Sequence, residues 1–182
     1  MGRYVLALLA AAAFATLGCD AASGAADAGP TGCPPPAPWG YEVGDRLTNL
    51  DFADCDGQSV DLHSLCGRVG VVVAFYGWCA SCPHYAELAD SLMQEYGSRG
   101  LTALVVVVED GLREPASAAC CAEVRDYLGL TVATVIDPAH TLEAYGDTDL
   151  VVISDRGGHI VFKRQGPDDH AVRTAVEAAL EP

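Results

Sequence analysis

The sequence predicts an α/β fold in which a central mixed sheet is flanked by helices and opened by an N-terminal β-hairpin. Three observations carry this expectation. Residues 69–75 and 101–108 are valine-rich runs of strand length, apolar at nearly every position, as strands buried on both faces must be. Segments with helical spacing follow each of them, and that alternation argues for parallel strands joined by crossover helices. A closing pair of short strands then leads into an amphipathic terminal segment.

The elements follow in order along the 182 residues, which suffice for one domain with one core. Residues 1–18 read as a signal peptide: Arg3 gives a basic start, residues 4–14 an apolar run, and small residues lead to Gly18-Cys19. The run is shorter than the roughly 20 residues a membrane-spanning helix needs. The Gly18-Cys19 step resembles a bacterial lipobox, in which Cys19 would be acylated, although Thr16 stands where that pattern usually has Leu. Cleavage near Ala15 would instead release a soluble chain. Residues 19–40, rich in Ala, Gly and Pro, read as a flexible tether, since they bury too little apolar surface to offset their ordering entropy. Residues 41–182 then form the folded domain.

Within it, Leu50 and Phe52, then Val60 and Leu62, flank an Asp56-Gly57 turn and predict a hairpin. The strand at 69–75 runs into Tyr76-Gly77-Trp78. Tyr85, Leu88, Leu92, Met93 and Tyr96 then recur at helical spacing until Gly97 and Gly100 end the run. After the strand at 101–108 come a helix at 118–128, a strand at 132–136, a short helix around Leu142, and strands at 150–153 and 160–162. A last helix at 171–180 carries Val172, Ala175, Val176 and Ala179 on one face.

The chemistry sits at the first strand-to-helix junction, in Trp78-Cys79-Ala80-Ser81-Cys82-Pro83. Disulfide exchange needs one ionisable, accessible thiol and a second close enough to resolve the mixed disulfide. A helix start offers unpaired N–H groups and a favourable dipole to a thiolate, which assigns Cys79 as nucleophile and Cys82 as resolving thiol. Pro83 fits the first helical turn because its missing N–H costs no bond there. His84 is a candidate neighbour adding positive potential. No resident cofactor or metal is expected: zinc would need two more ligands, and the adjacent Cys120-Cys121 lacks chelating spacing.

Charge bears on partners. A formal net charge of −15, spread along the chain, excludes a nucleic-acid binder, which needs clustered Lys and Arg. Eight cysteines beside an export signal point instead to a disulfide-permissive compartment. Cys55 and Cys66 bracket a short loop and are expected to form a structural disulfide. Cys33, Cys120 and Cys121 remain, either as a staple from Cys33 to one of the other two or as an auxiliary pair.

Phe75-Tyr76-Gly77-Trp78-Cys79-Ala80-Ser81-Cys82, with residues 56–62 before it and 158–161 after it, resembles the TlpA and ResA group of membrane-anchored thioredoxin-like proteins. More broadly it is similar to the redoxin or AhpC/TSA superfamily, over residues 42–180. The resemblance implies a thioredoxin-like fold and a thiol:disulfide oxidoreductase outside the cytoplasm, on the periplasmic side of a bacterial membrane. Its implied partners are protein thiols and disulfides and a membrane redox donor or acceptor. Two departures stand out. Thr148-Asp149 occupies the place of the family's cis-proline, which makes Asp149 an active-site neighbour, and Val73 stands where thioredoxin has a buried acid. Sco-type copper(I) chaperones are an alternative, but their Cys-x-x-x-Cys spacing and distal histidine are missing. Peroxiredoxin-type thiol peroxidases are another, without the Pro-x-x-x-Thr-x-x-Cys run.

Overall fold

The computed structural model describes residues 33–181. The signal peptide and Cys19 lie outside the described residues. A seven-stranded mixed sheet is built from β3 (Asp51–Asp54), β4 (Ser59–Asp61), β5 (Val69–Tyr76), β6 (Leu101–Glu109), β7 (Ala133–Ile136), β8 (Leu150–Ser154) and β9 (Ile160–Gln165), in the order β4-β3-β7-β6-β5-β8-β9. Strands β5, β6 and β7 are parallel, whereas β3 joins β7, and β8 and β9 continue from β5, in antiparallel register. All eight residues of β5 are buried, as its valine run requires at the centre of a sheet covered on both faces.

Helix α1 (Cys82–Tyr96) packs on β5 and β6, α2 (Ala118–Leu128) on β7, and α3 (Asp169–Leu180) on β8 and β9. The ends of α2 are set by local chemistry. Ser117 accepts the Cys120 N–H as N-cap, and Gly129, at φ 62°, takes the left-handed turn that ends the helix. The β3/β4 hairpin forms as expected, with Phe52 opposite Val60. Val72 and Val152, paired across β5 and β8, meet Leu47, Leu62, Leu142 and Tyr145 in one part of the core. Among the described residues no helix is long and apolar enough to cross a membrane.

Two expectations need correction. The expected Cys55–Cys66 disulfide is not formed. Cys66 is bonded to Cys33 and Cys55 to Cys121, with Cα atoms 5.6 Å and 5.3 Å apart. Strand order explains the difference: β7 and β6 lie between β3 and β5, so the β4-to-β5 connection carries Cys66 across the sheet from the hairpin turn. Pairing of β3 with β7 instead places Cys55 over α2, where it and Cys121 both lie against the Thr134 carbonyl. Cys33 accordingly reaches neither Cys120 nor Cys121.

The fold also starts earlier than residue 41. Beyond its disulfide at Cys33, the segment is held by the Trp39 indole, which donates to the Pro35 carbonyl (2.8 Å), and by Pro35, buried near Gly158. A small parallel pair, β1 (Trp39–Gly40) with β2 (Arg46–Leu47), continues the segment into the domain. Residues 33–40 of the expected tether are therefore part of the folded unit.

Candidate active site

The site begins where β5 ends. Gly77 passes so close to the Asp110–Gly111 backbone that a Cβ there would come within 2.6 Å of main-chain atoms, so only glycine lets the chain turn at this point. The Cys79 N–H donates to the Tyr76 carbonyl (2.9 Å), closing a turn that delivers Cys79 to the start of α1. Cys79 and Cys82 are joined as a disulfide, their Cα atoms 5.4 Å apart. Cys82 is fully buried, whereas Cys79 keeps 9 % of its surface exposed. The Cys82 N–H donates to Cys79 Sγ (3.2 Å), the interaction expected of a helix N-terminus toward sulfur. Pro83 lies in the first turn.

Asp149 faces this pair from the residue before β8. Its Oδ1 is 3.1 Å from Cys79 Sγ and 3.6 Å from Cys82 Sγ, and it accepts a hydrogen bond from Ser81 Oγ at 2.6 Å. Backbone geometry holds it there: φ is 58°, a left-handed conformation that Asp tolerates better than most residues, and its carbonyl accepts the Gly166 N–H (3.0 Å). Once the disulfide is reduced, either thiol is within reach to donate to this carboxylate. Among the described residues, Cys79, Cys82 and Asp149 are also the three side chains that converge closely enough to hold a metal ion.

Trp78 braces the other side. Its indole N–H donates to Glu109 Oε2 (2.5 Å), the Arg113 guanidinium lies 3.9 Å over its ring, and Tyr76 packs against it. Glu109 also lies 3.8 Å from His140, whose pKa is raised chiefly by its hydrogen bond to Glu143. Burial, reinforced by Glu143, pushes the Tyr76 phenol up. His84, two residues after Cys82, bonds Asp169 on α3 at 2.7 Å and is exposed. Val73 is buried in mid-strand as an apolar residue. Asp90, a buried carboxylate further along α1, accepts from Thr131 and Val132 and so anchors the approach to β7.

Sequence reasoning missed Glu109, Arg113 and the contact of Ser81 with Asp149. Only Glu109 left a usable signal, since adjacent parallel strands end together and the register pairs Tyr76 with Glu109. Cys120 is a free thiol in a groove of about 500 Å³ that also touches Gly77, Pro83, Asp110, Glu123 and Tyr127. Burial, then the Asp110 and Glu123 carboxylates, push its pKa up, which makes it a poor nucleophile.

The Redoxin family model matches residues 42–180, spanning this sheet, its three helices and the Cys79–Cys82 junction. The chain belongs to the Redoxin family. Solved structures agree on the fold. A candidate thiol:disulfide interchange protein DsbE from Chlorobium tepidum superposes with a TM-score of 0.67 at 18 % identity, over 78 % of this chain and 99 % of that one. A thioredoxin domain of a thiol-disulfide oxidoreductase from Bacteroides vulgatus gives 0.61 at 19 % identity, over 74 % and 98 %. A thioredoxin family thiol:disulfide interchange protein from Chlorobium tepidum gives 0.61 at 17 % identity, over 80 % and 99 %. No curated protein matches the sequence significantly. As a redoxin with a disulfide at the strand-to-helix junction, the chain is a thioredoxin-like oxidoreductase.

Proposed function

We propose that this redoxin exchanges disulfides with other proteins outside the cytoplasm, acting as a reductant of their disulfides. The observation that carries the reading is the asymmetry of the pair: Cys79 has an exposed edge and receives the Cys82 N–H, whereas Cys82 is wholly buried. In the dithiol form, the Cys79 thiolate attacks one sulfur of a partner disulfide, and the partner's other sulfur leaves as a thiolate. The Cys82 thiolate then attacks Cys79 Sγ and expels the second partner thiolate. Two electrons pass to the partner, both of its sulfurs take up protons, and the Cys79–Cys82 disulfide is regenerated. Asp149, beside both sulfurs, is placed to receive the thiol protons.

A membrane redox donor would then return the pair to the dithiol. Attachment through an acylated Cys19, after removal of residues 1–18, would hold the domain on the periplasmic side of a bacterial membrane. The segment up to residue 32 would serve as the tether, ahead of the point where the Cys33–Cys66 disulfide fixes the chain. Copper(I) delivery is less well supported, because His84 is engaged by Asp169 and His140 by Glu143.

The test is insulin reduction with dithiothreitol as electron source. Catalytic amounts of the chain are expected to shorten the lag before the freed B chain precipitates. A lag unchanged from dithiothreitol alone would overturn the reductant reading.

A further inference from the structure

We propose that the reduced pair is a redox-gated zinc site, with Cys79, Cys82 and Asp149 as ligands and a water in the fourth position, and that zinc there switches disulfide exchange off. The inference rests on the redox reading of the pair, because the site exists only once the disulfide opens.

Geometry carries it. A tetrahedral zinc ion with Zn–S of about 2.3 Å and Zn–O of about 2.0 Å needs sulfur and oxygen ligands about 3.5 Å apart and sulfurs about 3.8 Å apart. Asp149 Oδ1 already lies 3.1 Å and 3.6 Å from the two sulfurs. The sulfur–sulfur separation and the 3.1 Å approach of Asp149 to Cys79 are shorter than this, and cleavage of the disulfide frees Cys79 Sγ to move away from both Cys82 Sγ and the carboxylate. The carboxylate needs little reorganisation: its residue is locked in a left-handed turn, and the Ser81 hydroxyl donates to the same oxygen, the outer-shell support usual for metal-bound carboxylates. The Cys82 N–H already points at Cys79 Sγ and would stabilise it as a bound thiolate.

The donor set selects the ion. Two thiolates and one carboxylate suit zinc, which accepts mixed sulfur and oxygen ligands, better than copper(I), which favours sulfur and imidazole. Three protein ligands leave a fourth position for water, as in open zinc sites. Binding converts two thiols and one zinc ion into a bis-thiolate complex and two released protons, with no net electron transfer. Because the metal occupies the Cys79 lone pair that would attack a partner, the zinc-bound form cannot begin exchange.

The experiment uses the full chain in mild detergent, reduced anaerobically and freed of reductant. Thiols are counted, and the chain is titrated with Zn²⁺ against a chromophoric chelator and separately with Co²⁺. Wild type is expected to bind one more equivalent of Zn²⁺ than the Cys79→Ser/Cys82→Ser variant, in which the remaining thiols are unchanged. Wild type should also show the thiolate-to-cobalt charge-transfer and intense d–d absorption of a tetrahedral site. Asp149→Ala is expected to weaken that equivalent by at least about tenfold, and Asp149→His, which supplies another zinc ligand, to restore it. Equal zinc counts in wild type and the double serine variant would overturn the proposal, as would an Asp149→Ala chain with unaltered affinity and cobalt spectrum. A pair that resists reduction contradicts both this inference and the redox reading, whereas a pair that reduces without taking up zinc contradicts this inference alone.

Discussion

Cys79→Ser is expected to lower insulin-disulfide reduction by at least about a hundredfold, because it removes the only sulfur of the pair that a partner disulfide can approach. Cys82 cannot substitute for it. Its side chain is fully buried beneath the first turn of α1, so in-line attack on a protein disulfide would require local unfolding of the helix start. Cys82→Ser should behave differently. The nucleophile survives and attacks, but nothing expels the partner, so the variant accumulates as a covalent mixed disulfide visible on a non-reducing gel and absent after reduction. Retention of more than a tenth of wild-type activity by Cys79→Ser, or trapping by Cys79→Ser in place of Cys82→Ser, would reverse the assignment of roles.

Loss of the Cys55–Cys121 disulfide is expected to produce the largest effect on stability. It closes a loop of 66 residues, and the chain-entropy model assigns such a cross-link about 4 kcal/mol. It also ties the outermost hairpin to α2, adding a covalent link to the short β3–β7 pairing. Cys55→Ala/Cys121→Ala should therefore lower the thermal midpoint by roughly 10–15 °C for a domain of this size. The Cys33–Cys66 bond closes a loop of 33 residues, for which the same model gives slightly less. An unchanged midpoint in the Cys55→Ala/Cys121→Ala chain would show that the hairpin docks without help from the bridge.

What could be read from residues alone follows the range of the forces involved. Helix α2 was legible at both ends because capping is local, and β5 because a fully buried strand must be apolar at every position. The pairing of β1 with β2 left no signal, since two residues carry no periodicity. Disulfide partners depended on strand order, and nothing in the hairpin sequence says that β3 will lie beside β7. At the site, Cys79, Cys82, Trp78 and Pro83 were legible because their spacing on one junction already implies their geometry. Asp149 was marked only by its place before β8. Its approach to both sulfurs depends on a left-handed backbone and a hydrogen bond to Gly166. The ion pair of His84 left no signal for a related reason: its partner, Asp169, arrives from the far end of the chain.

A working redox couple at Cys79–Cys82, with the other two disulfides as scaffolding, requires the three bonds to differ in how readily they are reduced. Equilibrating the chain in graded redox buffers, alkylating it and mapping each disulfide by mass spectrometry tests this directly. Cys79–Cys82 is expected to titrate reversibly as a two-electron couple while Cys33–Cys66 and Cys55–Cys121 stay oxidised to below about −300 mV, where structural disulfides lie. If Cys79–Cys82 stayed oxidised alongside them, it would be a third structural cross-link, and the redox account would be wrong.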